Sequence, residues 1–174
     1  MIIMKHRDRA GFTLVELLIV MALIGVLAGV AIPRLPDVTA SRLKSQARRI
    51  AGTFTYLYQR AAATQVVLRL TLDMDSNEYY VSILNTDNRF EEIELPFAKR
   101  TKLPSQIKIS ETYTTRQGKA KKGNAMIHFF PGGQTELAVV HMTDNNKNEM
   151  TLITNPLTGK VNISAGYKDV SRKM

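Results

Sequence analysis

Glu16 is the one charged residue in an apolar run of 21 residues, from residue 12 to residue 32. A carboxylate at the centre of a membrane-spanning helix costs about 2.5–3.5 kcal/mol on insertion scales, so an opposite charge or hydrogen bonds must satisfy it. As a helix, the run is about 31 Å long, which equals the thickness of the hydrocarbon core of a bilayer. The sequence therefore predicts a membrane-spanning or membrane-targeting helix, in which Glu16 is an unexplained cost unless a partner satisfies it.

The short basic flank before this run, residues 1–11, keeps the N-terminus cytoplasmic and directs the C-terminal part across the membrane. Three fates fit such a segment. In the first case, the segment is a secretory signal cut after Ala31, although the run exceeds the usual length of about 7–15 residues. Alternatively, it is an uncleaved anchor with Glu16 at the membrane edge. In the third case, cleavage between Gly11 and Phe12 creates a cationic amine close to Glu16 in the sequence.

The stretch GFTLVELLIVMALIGVLAGVAIP resembles the processing and assembly segment of type IV prepilins and type II secretion pseudopilins. The matching features are a short basic leader that ends in Gly11, Phe12 after it, Glu16 as the fifth residue of the mature chain, and Pro33 after the apolar run. The resemblance implies that a prepilin peptidase cuts the chain between Gly11 and Phe12 and methylates the new amine. It also implies that Glu16 pairs with the N-terminal amine of a neighbouring subunit in a filament, with Pro33 shaping the helix.

A second helix is predicted after Pro33 and Pro36, which disfavour helical geometry at the end of the apolar run. In the following stretch, residues 37–65, apolar side chains recur at spacings of four and three residues, the period of one helical face. This apolar stripe consists of Leu43, Ala47, Ile50, Phe54, Leu57 and Ala61. Residues 34–64 also hold six basic residues and one acid. We expect the stripe to pack on a sheet and the basic face to meet solvent, lipid head groups or other subunits.

The rest of the chain shows the alternating apolar pattern and the turn-forming sequences of β-structure. Seven strands are predicted, at residues 66–73, 79–85, 106–110, 125–130, 136–143, 149–154 and 160–164. A long N-terminal helix followed by short strands predicts an α+β fold, with the helix packed on an antiparallel β-sheet or a small β-sandwich. The order of these features resembles the H-type minor pseudopilins of type II secretion and the related FimT-like minor type IV pilins.

The resemblance implies four parts: a cytoplasmic leader (1–11), a transmembrane and assembly segment (12–33), an amphipathic helix (34–64) and a periplasmic β-rich domain (65–174). The implied function is that of a minor pseudopilin, anchored once in the inner membrane and assembled into a pseudopilus that drives protein export across the outer membrane. The alternative is a minor type IV pilin for pilus biogenesis, adhesion or DNA uptake. The implied partners are the prepilin peptidase, other pseudopilins or pilins, membrane lipid, and an inner-membrane platform with its ATPase.

Neither catalysis nor a cofactor is predicted by the residue pattern. Four polar residues superficially resemble a calcium loop: Asp73, Asp75, Asn77 and Glu78. An EF-hand would need glycine where Glu78 stands and glutamate where Leu84 stands. His128 and His141 lie in separate predicted strands without an acid or cysteine cluster near them in the sequence, which favours a structural role. The chain has no cysteine, which disfavours a major pilin with a disulfide-closed loop. We expect a binding module and no metal site.

The run RQGKAKK, residues 116–122, contains four positive charges and no acid. As a flexible loop between strands, it would offer Lys119, Lys121 and Lys122 as a basic contact surface for phosphate groups. It lacks the aromatic residues that stack on single-stranded bases. Two roles therefore fit the run: a solvated loop and a contact with nucleic acid.

Overall fold

The computed structural model describes residues 12–31 and 38–169, which belong to two separate compact units. Within the first unit, the described residues form the helix α1 (Leu14–Ala31). The second unit contains the helix α2 (Val38–Thr64) and a set of β-strands. Residue Pro33, predicted to shape the helix, lies outside the described residues. No helix in the described part of the chain has both the length and the hydropathy needed to cross a membrane.

Eleven strands follow α2 within residues 38–169 and form two antiparallel sheets. Their bounds are β1 Leu68–Asp73, β2 Glu78–Leu84, β3 Phe90–Ile93, β4 Thr101–Lys102, β5 Ile107–Thr114, β6 Gly118–Ala120, β7 Asn124–Phe130, β8 Gln134–Thr135, β9 Ala138–Asp144, β10 Glu149–Thr154 and β11 Val161–Ala165. The first sheet has the order β3-β2-β1-β7-β8, with β4 also paired to β2. The second sheet has the order β11-β10-β9-β5-β6.

The predicted α+β fold is confirmed, because an amphipathic helix packs on antiparallel sheets. Each predicted strand overlaps an observed one, and β10 has the predicted bounds. The strand predicted at residues 106–110 is longer and continues to Thr114. The sequence did not predict β3, β4, β6 and β8, which are two to four residues long. Such short strands form through backbone hydrogen bonds to a neighbouring strand. They contain too few residues to show an alternation of apolar and polar side chains.

The apolar stripe of α2 lies in the hydrophobic core. All six of its predicted side chains are buried, with at most 1% of their surface exposed. They pack among the inward side chains of both sheets, and the ring of Phe54 meets the ring of Phe129 edge-on at 5.8 Å. Burial of a leucine, isoleucine or phenylalanine side chain contributes about 1.5–3 kcal/mol. The stripe therefore fixes which face of α2 points toward the sheets and leaves its arginines outside.

Tyr58 connects α2 to one turn from each sheet. Its hydroxyl lies 2.7 Å from the carbonyl oxygen of Gly133, in the β7–β8 turn, and 2.7 Å from that of Leu157, in the β10–β11 turn. Gly159 in the second turn has a φ of 64°, and a Cβ atom there would lie 2.2 Å from Cγ of Tyr58. The turn requires glycine at this position for both its backbone conformation and its space.

The Gly159→Ala variant should lower the free energy of unfolding by about 2 kcal/mol or more, because a side chain at this position is strained and overlaps the Tyr58 ring. The matched control is Gly132→Ala, since Gly132 is exposed and a Cβ atom there meets no other atom within 4 Å. Urea unfolding of the detergent-solubilised chain, followed by circular dichroism, measures both variants. Equal stability of the two variants would contradict the proposed role of the Tyr58 contact.

Candidate functional site

The N-terminal unit presents the predicted processing and assembly residues. Gly11 lies outside the described residues, while Phe12 precedes α1 and has 79% of its surface exposed. The large apolar side chains of α1 from residue 14 to residue 27 are between 45% and 78% exposed. An apolar surface of this extent needs lipid or protein around it.

Glu16 lies in the first turn of α1, where it belongs to a helix cap. Thr13 is the N-cap residue: its Oγ1 accepts a hydrogen bond from the backbone N–H of Glu16 at 3.3 Å, and its carbonyl accepts one from Leu17 at 3.2 Å. The spacing Thr-x-x-Glu is that of a capping box, and a carboxylate in the first turn is favoured by the helix dipole. Glu16 is therefore suited to stabilise the start of α1, in addition to the assembly role that the resemblance implies.

Cleavage before Phe12 would give Glu16 a second electrostatic role. The new amine would stand two residues before α1, at the positive end of the helix dipole, where a cation is unfavourable. Glu16 is the only carboxylate in residues 12–31 that can balance that charge. The position therefore suits a carboxylate both for the helix start and for pairing with an N-terminal amine.

The predicted basic loop is part of a short hairpin, because Gly118–Ala120 forms β6 and pairs with β5. Lys119 Nζ lies 2.9 Å from Glu111 Oε1, and Lys121 Nζ lies 3.7 Å from Glu111 Oε2. The run itself contains no acidic residue, but in the folded chain Glu111 of the neighbouring strand lies next to it. Glu111 partly neutralises two of the three lysines proposed as a contact surface, whereas Lys122 is exposed.

Glu111, itself buried, is the centre of a polar cluster that the sequence did not reveal. Its carboxylate accepts hydrogen bonds from Lys119 and, at 2.8 Å, from the hydroxyl of Tyr167. The ring of His141 stacks on Tyr167 with 4.2 Å between centroids, and His141 Nε2 lies 3.9 Å from the carboxylate. Burial alone would raise the pKa of Glu111, but the hydrogen bonds from Lys119 and Tyr167 outweigh it and lower that pKa.

The Thr151, His141 and Glu111 side chains lie in the order of a catalytic triad, yet their hydrogen bonds are structural. The Thr151 hydroxyl donates to the carbonyl of Gly166 at 2.6 Å, so it accepts the Nδ1–H of His141 at 3.0 Å. Thr151 has no exposed surface, and a nucleophile needs access to its substrate. The cluster holds the chain after β11 against the second sheet.

His128 also faces a carboxylate, since its Nδ1 lies 3.2 Å from both oxygens of Glu136. The sequence shows no acid or cysteine cluster near either strand histidine, and in space each of them has a carboxylate partner. Antiparallel register brings Glu111 of β5 opposite His141 of β9, although they are 30 residues apart in the chain. Within the described part of the chain, no group of three or more metal-ligating side chains comes together.

The calcium-like residues of the β1–β2 turn have structural partners. Asp73 Oδ1 accepts hydrogen bonds from the backbone N–H groups of Asp75 and Ser76, both at 3.0 Å, and the Ser76 bond lowers the pKa of Asp73. Asp75 Oδ2 accepts one from Gly123 at 3.1 Å. Glu78 forms an ion pair with Arg100. These contacts stabilise the β1–β2 turn and connect it to the segments that precede β4 and β7.

Acidification from pH 7 to pH 5 should destabilise the globular unit through His141. Burial lowers the pKa of His141 in the folded state, so the unfolded chain binds the proton more readily near its ordinary pKa of about 6.5. The contribution of His141 to stability is therefore fully present above pH 6.5 and is lost below it, by at most about 1.4 kcal/mol per pH unit for one proton. Urea unfolding across this range measures the slope. The His141→Phe variant keeps an aromatic ring on Tyr167 and should flatten the slope, and an unchanged slope would contradict the assignment.

Two sequence comparisons concern the N-terminal segment. The family described as the prokaryotic N-terminal methylation motif matches residues 6–32. A curated relative, the fimbrial protein EcpC of Eikenella corrodens, is 50% identical over 49 residues. That match covers 28% of this chain and 32% of EcpC, so the chain aligns with about a third of the length of this relative. The methylation motif thus includes the predicted residues Gly11, Phe12 and Glu16.

Structural comparison concerns most of the chain. Two structures of the minor pseudopilin EpsH, from the Type 2 Secretion System of Vibrio cholerae, match with TM-scores of 0.61 and 0.57 at 11% and 10% identity. They cover 74% and 71% of this chain and 98% and 97% of EpsH. The solution structure of E. coli GspH matches with a TM-score of 0.56 at 10% identity, covering 74% of this chain and 92% of GspH. The chain therefore carries the N-terminal methylation motif of type IV prepilin-like proteins and has the fold of the minor pseudopilins EpsH and GspH.

Proposed function

We propose that this chain is a minor pseudopilin of a type II secretion system. After cleavage between Gly11 and Phe12 and methylation of Phe12, it assembles into a periplasmic pseudopilus that drives protein export across the outer membrane. The observation that carries the proposal is the methylation motif at the head of an uncovered apolar helix, on a chain with the EpsH and GspH fold. The chain acts as a structural subunit, without catalysis or a cofactor.

The exposed apolar surface of α1 fits a helix that lies in lipid before assembly and among other helices in the filament. Before assembly, lipid surrounds α1 and anchors the chain once in the inner membrane, with the N-terminus in the cytoplasm and the β-rich domain in the periplasm. In the filament, the α1 helices of neighbouring subunits replace lipid around the same side chains. Pro33 shapes the helix after the apolar run. Glu16 then pairs with the methylated amine of the next subunit, which sets the register more than it adds stability.

Assembly of this kind requires a defined set of partners. The prepilin peptidase recognises the segment around Gly11 and Phe12 and performs both the cleavage and the methylation. Other pseudopilins supply the neighbouring α1 helices, and an inner-membrane platform driven by its ATPase moves subunits from the membrane into the filament. The methylation motif supports the peptidase and the pilin-like neighbours, and the platform with its ATPase belongs to the proposal.

A minor type IV pilin is the second candidate. It is favoured by the 50% identity to a fimbrial protein over 49 residues. Both candidates share processing at Phe12 and assembly through Glu16, and they differ in the machine that the filament serves. In the pilin case, DNA uptake would use the basic hairpin, where Lys122 and the partly neutralised Lys119 and Lys121 form the contact surface.

The mature chain extracted from membranes should begin at methylated Phe12. Its intact mass should equal that of residues 12–174 plus one methyl group, and a Gly11→Val variant should keep its full length. Mass spectrometry of both proteins makes the measurement. A mature chain that begins at Ile32 would identify a secretory signal, and an uncut parent chain would identify an anchor. Either result would contradict the proposed function.

Glu16→Gln should leave membrane insertion and cleavage intact and reduce filament incorporation about tenfold, because it removes one charge of a buried pair. Glutamine serves a capping box as glutamate does, so the variant separates the charge from the cap. The matched control is Thr13→Val, which removes the cap, keeps the charge and should incorporate normally. Filaments isolated from the periplasm and quantified by immunoblot, with the chain tagged, measure incorporation. Normal incorporation of Glu16→Gln would show that the charge pair is not needed.

A further inference from the structure

A groove of about 460 Å³ lies between α2 and the turn that follows β3. Arg49, Gly52 and Tyr56 line it from α2, where their spacing places them on one face of the helix. Phe97 of the turn lines the groove as well. All the residues that line the groove belong to the globular unit.

Phe97 is held at the groove by the fold around it. Leu95 and Ala98 pair their backbones, with N–O distances of 3.4 and 3.1 Å, so Pro96 and Phe97 form the tip of a tight turn. Ala98 is 1% exposed and fixes the base of the turn, whereas Phe97 is 78% exposed. Its ring meets Tyr56 edge-on at 5.6 Å. A large aromatic side chain presented in this way is typical of the anchors of protein interfaces.

Gly52 widens the groove in the interior of α2. A Cβ atom at this position would meet no atom within 4 Å, and the backbone of Gly52 is not in the left-handed region. Neither packing nor backbone conformation within the chain therefore requires glycine, although glycine weakens a helix interior. The missing side chain leaves open space between Arg49 and Tyr56.

The charge along the groove has one sign. Arg49 and Lys99 line it, and no acidic residue does. Lys99 Nζ lies 3.7 Å from Glu94 Oε2, a surface pair in which both side chains are more than 60% exposed and which is therefore weak. Among the described residues, no carboxylate lies within ion-pair distance of Arg49. The groove is thus suited to an occupant that carries an anionic group.

We propose that this groove binds a segment of a partner protein that presents an aromatic side chain next to a carboxylate. The aromatic ring occupies the space above Gly52, against Tyr56 and Phe97, and Arg49 binds the carboxylate. The three features concentrated here, an exposed aromatic tip, a glycine without an internal reason and an unneutralised arginine, are explained together by such an occupant. The proposal rests on the globular unit alone and stands whichever filament the chain serves.

The test uses three blocked dipeptides and the detergent-solubilised full chain. Acetyl-Phe-Glu-amide should shift the backbone amide resonances of Gly52 and Phe97 in a saturable way. Acetyl-Phe-Gln-amide should bind about fivefold more weakly, because it cannot form the charge-assisted hydrogen bond to Arg49, and acetyl-Phe-Lys-amide weaker still. The absence of any shift, or equal binding of the three peptides, would overturn the proposal.

Variants of the groove separate binding from folding. Arg49→Gln should reduce binding of acetyl-Phe-Glu-amide to the level of the glutamine peptide, whereas Arg48→Gln, a change at an adjacent exposed arginine that does not line the groove, should leave it unchanged. Gly52→Leu should fold and abolish binding. Gly52→Ala should raise the Tm, since the helix gains a better helix former. A lower Tm would show that the fold itself needs Gly52, and equal effects of Arg49→Gln and Arg48→Gln would show a nonspecific charge effect; either result would overturn the proposal.

Discussion

Both sheets of the globular unit pack their apolar faces against one face of α2. The stripe on this helix contacts strands of the first sheet, β1 and β7, and strands of the second, β9, β10 and β11. The chain has no cysteine, so this burial stabilises the domain without covalent cross-links. The buried face of α2 also decides which residues of this helix, including Arg49 and Tyr56, remain toward the outside.

The sequence predicted those elements that carry their own periodic pattern. The 3.6-residue period of the α2 stripe and the alternation along the longer strands are written in consecutive residues, so they could be read without knowing the fold. The positions of Glu16 and Phe12 in the methylation motif were likewise readable. The strands β4 and β8 were not, since two residues contain no period and acquire their conformation from a partner strand.

The contacts that depend on register could not be predicted. Glu111 and His141 meet because β5 lies beside β9 in a particular alignment, and the sequence contains no local trace of that alignment. The same holds for Tyr58, whose two carbonyl partners are 75 and 99 residues away in the chain. Treating the basic run as an open loop failed for this reason: its acid, Glu111, is supplied by a neighbouring strand and by no nearby residue of the sequence.

The hydroxyl of Tyr58 has one proton and two carbonyl oxygens within reach, one from a turn of each sheet. Rotation of α2 about its own axis would move this hydroxyl away from both carbonyl oxygens. The two hydrogen bonds therefore fix the rotation of α2 about its axis. Tyr56, two positions earlier on the same helix, has a fixed direction for the same reason. The helix side of the groove, with Tyr56 on it, therefore has a direction that the two hydrogen bonds of Tyr58 fix.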